Sequence, residues 1–212
     1  MDVARQVPSS VQLHGFDISG DQFPLKELWP QNVTLELLDS LSEPPESLSG
    51  QYDVVHLRMW ASNLRESDTS SLINHIKHLL KPGGYLQWED ADLVHQHVQG
   101  AIGVAFEQRM NLIFGRVGLD YGWVSDLPNR LRQSGLTVHS SELGHFEPYL
   151  MQLCTNTYMI AIQGILEGIK RSHPESSINF IIEQEVALSN MPREKAAGII
   201  YNWSPVSLLA QM

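Results

Sequence analysis

The run YDVVHLRM (Tyr52–Met59) constrains the fold more than any other stretch of this chain. It is a continuous apolar run, which suits a strand buried on both faces, and such strands belong to parallel sheets covered by helices. A well-signalled helix follows in DTSSLINHIKHLLKPGG. Asp68 or Ser70 can cap it, and Leu72, Ile76, Leu79 and Leu80 form its apolar stripe. Pro82-Gly83-Gly84 predicts its end, and YLQWED reads as the next strand. Strand, helix and strand in this order predict parallel pairing through a right-handed crossover.

The same rhythm extends in both directions. VQLHGF (Val11–Phe16) is a β-rich run closing on Asp17. FPLKELWP is a short turn or helical piece between Pro24 and Pro30, and VTLELL (Val33–Leu38) is a second strand closing on Asp39. SEPPESLSG is a proline-marked connection with a helical turn. Downstream, AIGVAFEQRMNLIFGRVG and VSDLPNRLRQSG read as helices and LTVHSSELGHF as an alternating strand. After Pro148 comes a long apolar helix, YLMQLCTNTYMIAIQGILEGIKRS. Further helices follow in SSINFIIEQEVALSN and from Pro192, and PVSLLAQM reads as a closing strand. The expectation is one domain over 1–212, with a helical insertion over about 149–200 ahead of the last strand.

Composition narrows the function classes. A hydrophobic share of 42% and a charged share of 18% are those of a globular domain. The net charge of −10 presents nucleic acid with a repulsive average field, so no nucleic-acid partner is expected. Cys154 is the single cysteine, which rules out an internal disulfide framework and a thiolate metal site. Its apolar neighbours predict a small buried hydrophobe. No apolar run reaches the length of a membrane span, and the start of the sequence lacks a signal-peptide apolar region. A cytoplasmic protein without membrane contact is expected.

The acidic residues at two successive strand ends carry the chemistry. In open α/β sheets, ligands bind at the carboxyl ends of the strands near the switch point. A carboxylate after one strand is placed to accept both hydroxyls of a ribose, and one a strand further out can accept an adenine amino group. Aspartate is also common in turns and caps, so for Asp17 and Asp39 both readings stand.

Together QLHGFDIS…QFP, VTLELLDSL, YDVVHLRMW and LLKPGGYLQWED resemble class I S-adenosylmethionine-dependent methyltransferases. More narrowly they look like the fungal secondary-metabolism group related to velvet-complex methyltransferases. The resemblance covers nearly the whole chain. It implies an α/β, Rossmann-like, mainly parallel sheet of order 3-2-1-4-5-7-6 whose last strand is antiparallel. It implies S-adenosylmethionine as cofactor, with Asp17 on the ribose and Asp39, Ser40 and Leu41 lining adenine. His56 and Arg58 would stand near the methionine portion and the reacting methyl. The family's first strand and its glycine-rich cofactor loop have no counterpart in this sequence, which starts within the helix that would follow them. An N-terminally incomplete sheet, weakened cofactor binding and a homodimer that closes the gap are therefore expected.

Further candidates lie at the same rim. Glu89 and Asp90 follow strand YLQWED, so one could be a general base and the other a structural cap; with Asp92 they also read as a solvated acidic turn. Trp60 and Trp88 could wall an apolar substrate or pack the core. DYGWVSD places Tyr121 and Trp123 in a loop that could cover the pocket. His95 and His97 have strand spacing, but no third ligand supports a metal, and His75 and His78 read as structural. No nucleophile elbow or Walker loop is present. Three functions follow: methyl transfer to a small natural product; a cofactor-independent cyclase, pericyclase or isomerase on a polyketide-like intermediate; or a non-catalytic partner subunit.

Overall fold

The computed structural model describes residues 2–21, 23–61, 63–118, 120–172, 183 and 200–212. Two sheets form the frame. In the first, β1 (Leu13–Asp17) and β2 (Val33–Leu37) pair in parallel, from Leu13 opposite Val33 to Asp17 opposite Leu37. The second has the order β3-β4-β6-β5, built from β3 (Tyr52–Arg58), β4 (Leu80–Gln99), β5 (Thr137–Leu143) and β6 (Ile200–Gln211). β3 and β4 are parallel, and β6 runs antiparallel to both β4 and β5. This is the expected Rossmann-like α/β arrangement with an antiparallel last strand. Laid side by side, β2-β1 and β3-β4-β6-β5 follow the expected strand order, with no strand between β1 and β3 among the described residues.

The helices are α1 (Asp2–Gln6), α2 (Thr69–Leu79), α3 (Ala101–Val117), α4 (Gly122–Gln133) and α5 (Met151–Ser172). In α2 the apolar residues fall at helical spacing, so Leu72, Ile73, Ile76 and Leu79 bury one stripe. Each such side chain contributes about 1.5–3 kcal/mol on leaving water. The helix ends at Leu79, before the Pro82-Gly83-Gly84 stop that the sequence suggested, and Leu80 is already extended. The glycines serve the entry to β4 instead. Gly83 has φ +78°, and a Cβ on Gly84 would lie 2.9 Å from the Lys81 carbonyl oxygen and 3.1 Å from that of Tyr52. α3 stops in the ordinary way, on a left-handed Gly118 whose N–H reaches the Phe114 carbonyl.

The core lies on one face of the larger sheet. Val55, Leu86, Trp88, Leu208 and Ala210 point into it, against Phe106, Met110, Leu127, Leu131 and Ile162 from the helices. The opposite face is open. Val54 is 55% exposed and Tyr85 39%, and exposed His56, Arg58 and Gln87 and half-buried Glu89 stand beside them. This corrects the expectation that Tyr52–Met59 is buried on both faces. The strand is present, but its side chains alternate across the sheet and only Val55 is fully buried, because no helix among the described residues packs over Val54 and His56. Of the expected insertion, α5 is seen and packs along β6; the proposed helices over 173–199 fall outside the described residues, apart from Glu183. Among the described residues, no helix is long and apolar enough to cross a membrane.

Candidate functional site

The carboxyl ends of β1 and β3 open onto a slot of about 670 Å³ between the two sheets. Its walls are β1 from His14 to Ile18, β3 from Val54 to Arg58, and the Leu38–Leu41 loop after β2. One side-chain bridge closes the amino end. The Tyr52 phenol lies 2.7 Å from His14 Nδ1, and Phe16 meets the Tyr52 ring edge-on at 6.2 Å. Burial, with the Glu36 carboxylate nearby, pushes the Tyr52 phenol up. No backbone hydrogen bond joins β1 to β3.

Both strand-end aspartates reach this slot, and both also make the local turn bonds that their residue type favours. Asp17 Oδ1 accepts the Ser19 N–H at 2.9 Å, while its Oδ2 has no protein partner among the described residues. Asp39 is more fully engaged: Oδ1 accepts the Leu41 N–H at 2.9 Å and Oδ2 the Ser42 hydroxyl at 2.8 Å. Those bonds, the Leu41 N–H first, hold the Asp39 carboxyl below the usual carboxylate range. The loop is anchored from behind, where the ring of buried His75 meets the Ser42 carbonyl at 3.0 Å. Ser40 and Leu41 of this loop line the same wall of the slot.

His56 and Arg58 project from β3 into the same slot. His56 Nε2 lies 3.4 Å from Glu89 Oε2, and Gln87 Nε2 donates to Glu89 Oε1 at 3.4 Å. Glu89 thus joins a histidine–carboxylate pair that is half exposed on both sides. Arg58 stands opposite Glu89 in the strand register and makes no ion pair among the described residues. The slot is lined by two exposed groups able to bind or move a proton, His56 and, at the far wall, Asp17, and Glu89 stands behind His56.

Asp90 is not one of them. It is 3% exposed, and its two oxygens accept the N–H groups of Trp60, Ala61 and Ala91 and the indole N–H of Trp88, at 2.9–3.1 Å. Burial pushes its carboxyl up although all four bonds pull the other way. The carboxylate ties the turn after β3 to β4. That turn contains Met59, whose φ of 56° is the single positive value outside glycine among the described residues. Asp90 holds this strained turn so that Trp60 and Asn63 reach the slot.

The other aromatics are distributed differently from the sequence expectation. Trp60 lines the slot. Trp88 is fully buried and packs on Trp123 at 5.9 Å between ring centres. Trp123 belongs to the first turn of α4 and is 1% exposed, so neither indole reaches the slot and the expected covering loop is the start of a helix. Tyr121 lines a second hollow of about 600 Å³ with Arg65, Asn111 and Phe114. His95 is drawn to Asp92 at 2.8 Å and His97 to Gln99 at 2.8 Å, and among the described residues no group of three or more His, Cys, Asp or Glu converges on a metal position. Cys154 is buried, as expected. His14, Phe16, Tyr52 and Asn63 were not singled out from the sequence. Their meeting depends on how the two sheets approach, and no local pattern carries that.

Comparison with known proteins gives partial matches. The chain is 36% identical over 81 residues to methyltransferase grgD of a Penicillium species, covering 38% of this chain and 28% of that protein. It is 32% identical over 87 residues to N-methyltransferase verN of Clonostachys rogersoniana, covering 41% and 30%. The matched stretch thus spans less than a third of the length of either relative. No family model matches. Among solved structures, phosphoethanolamine N-methyltransferase 2 of Haemonchus contortus, in complex with S-adenosyl-L-methionine, aligns with a TM-score of 0.53 at 17% identity, covering 98% of this chain and 44% of that one. The [4+2]-cyclase SpnF aligns with a TM-score of 0.52 at 16% identity, covering 99% and 68%. The fold is that of the Rossmann-like methyltransferases.

Proposed function

We propose that this chain is a methyltransferase-like protein of fungal secondary metabolism, of the velvet-complex type, whose slot takes S-adenosylmethionine and a small natural product. The observation that carries the reading is the pair Asp17 and Asp39, on successive strand ends at the rim of one slot. The residues present fit the nucleoside half of the cofactor. The free Oδ2 of Asp17 is a ready acceptor for a ribose hydroxyl, and the Asp39–Leu41 loop offers an edge for adenine. A slot of about 670 Å³ lies within the range of small-molecule sites.

When bound, the cofactor supplies an electrophilic methyl on a sulfonium centre. The chain's own residues then position and deprotonate. Arg58 takes the cofactor's carboxylate side, and Trp60 walls the acceptor. Glu89 accepts the Nε2–H of His56, which leaves Nδ1 to take the acceptor's proton. Holding the acceptor in line with the methyl contributes through proximity. The similarity to fungal proteins named as methyltransferases supports this reading.

The same fold also carries a protein named as a [4+2]-cyclase, which keeps a cofactor-independent cyclisation as the second reading. There the slot's polar groups would stabilise a transition state with no methyl donor present. Calorimetric titration with S-adenosylhomocysteine separates the two. Binding is expected, weakened about tenfold to a hundredfold in Asp17→Ala, the loss of a hydrogen bond to a charged group. No heat at high micromolar ligand would sink the methyltransferase reading and leave the cyclase.

A further inference from the structure

We propose that His75, buried in α2, is a positioning residue for the slot: through Ser42 it fixes the turn that carries Asp39 and Leu41 on the slot's wall. The inference rests on the reading above in one respect, that this wall takes the adenine side of the cofactor. It starts from an imidazole in a stripe that packing alone would make apolar. His75 is 3% exposed, on the face of α2 that buries Leu72, Ile73, Ile76 and Leu79. Its Nδ1 lies 3.0 Å from the Ser42 carbonyl oxygen. A carbonyl only accepts, so Nδ1 carries the ring proton. In the neutral ring Nε2 then holds a lone pair, and it is buried with no hydrogen-bond partner among the described residues. A buried polar atom without a partner destabilises a fold, so the contribution of His75 to the core does not explain its presence.

What the imidazole secures is the turn. Ser42 N–H bonds the Asp39 carbonyl at 3.1 Å, and the Ser42 hydroxyl bonds Asp39 Oδ2 at 2.8 Å. Leu41 N–H bonds Asp39 Oδ1 at 2.9 Å. These bonds hold the Asp39 carboxylate in one rotamer, but all of them lie within one turn whose Asp39, Leu41 and Ser42 are exposed to competing water. The His75 bond leaves the turn and ties it to α2, whose Leu79 lines the same slot. α2 in turn packs on β3 and β4. His75 thus sets where the Asp39 wall stands relative to the larger sheet, which carries His56 and Arg58 on the facing wall. An apolar residue at position 75 would fill the stripe and leave the Ser42 carbonyl without this tether. The imidazole trades core stability for a fixed wall.

The test separates the donor from the bulk. His75→Leu keeps the bulk and removes the donor, and His75→Asn returns an N–H close to the place of Nδ1. The His75→Leu chain should unfold at a urea midpoint equal to or above that of the wild type. Without ligand, its Leu41 and Ser42 amides should exchange at least about fivefold faster, while the β5 amides stay unchanged. Its affinity for S-adenosylhomocysteine in calorimetry should fall about threefold to tenfold. In His75→Asn, exchange and affinity should both return to within about twofold of the wild type. A His75→Leu chain that fails to fold or unfolds at lower urea would make His75 a core residue and overturn the proposal. Unchanged Leu41 and Ser42 exchange, or faster exchange at unchanged affinity, would overturn it as well, as would an Asn variant that restores neither. No heat with the wild-type chain would instead sink the cofactor reading, and the ligand-free exchange then decides the role of His75 by itself.

Discussion

At the scale of single residues, the aspartates at and beyond the strand ends have the same side chain and different work. Asp90 is the structural one: four donors converge on it, and without it they are left in a dry pocket. Asp90→Ala should destabilise the fold by about 2–3 kcal/mol, read as a lower urea midpoint with an unchanged slope. Asp39 and Asp92 are held below the usual carboxylate range. For Asp92, burial alone would raise it, but the His95 ring and the N–H groups of His95 and Val94 outweigh this. A depressed folded pKa means stability that is present above the unfolded value and lost as pH falls through the folded one. Asp90 is shifted the opposite way, so its protonation favours the folded state and partly offsets that loss. The urea midpoint should therefore fall as pH drops below the ordinary aspartate value of about 4, and fall less in Asp92→Asn. An acid limb equally steep in the variant would remove Asp92 from the account.

At the scale of elements, the larger sheet and α2 rest on particular contacts. Leu72→Ala should cost about 2–5 kcal/mol, because the side chain is fully buried in the stripe that faces Val55 and Leu86. Gly84→Ala should cost about 1–3 kcal/mol, because the added methyl meets two backbone carbonyls that cannot turn away. Thermal unfolding of the two variants checks both. These elements were legible in the sequence because each carries its own period: Leu72, Ile76 and Leu79 at helical spacing, and the alternating LTVHSSELGHF that becomes β5. The strand-end positions of Asp17 and Asp39 were legible too, since a strand's end is a local property. The roles of Asp90 and Trp88 were not. Both follow from which face of β4 turns inward, and a single position decides that Glu89 meets His56 while Asp90 meets the core. The double burial read from Tyr52–Met59 failed for a related reason, since composition shows what a strand can bury but not whether a helix is there to bury it.

At the scale of the whole molecule, the defining feature is that among the described residues the strand order is interrupted at the point where a doubly wound sheet places its ligand. The same gap makes the slot, frees the edges of β1 and β3, and leaves the face bearing Val54, His56 and Glu89 open. The carboxylates at its carboxyl end, Asp17 and Asp39, form the rim on which the proposed cofactor site rests. The most direct measurement is amide chemical-shift mapping during titration with S-adenosylhomocysteine. The account predicts that the shifted amides cluster at Gly15–Ile18, Asp39–Leu41 and His56–Arg58, the three segments around the slot's rim. Shifts confined to the second hollow, at Arg65–Ser67 and Asn111–Tyr121, would contradict it.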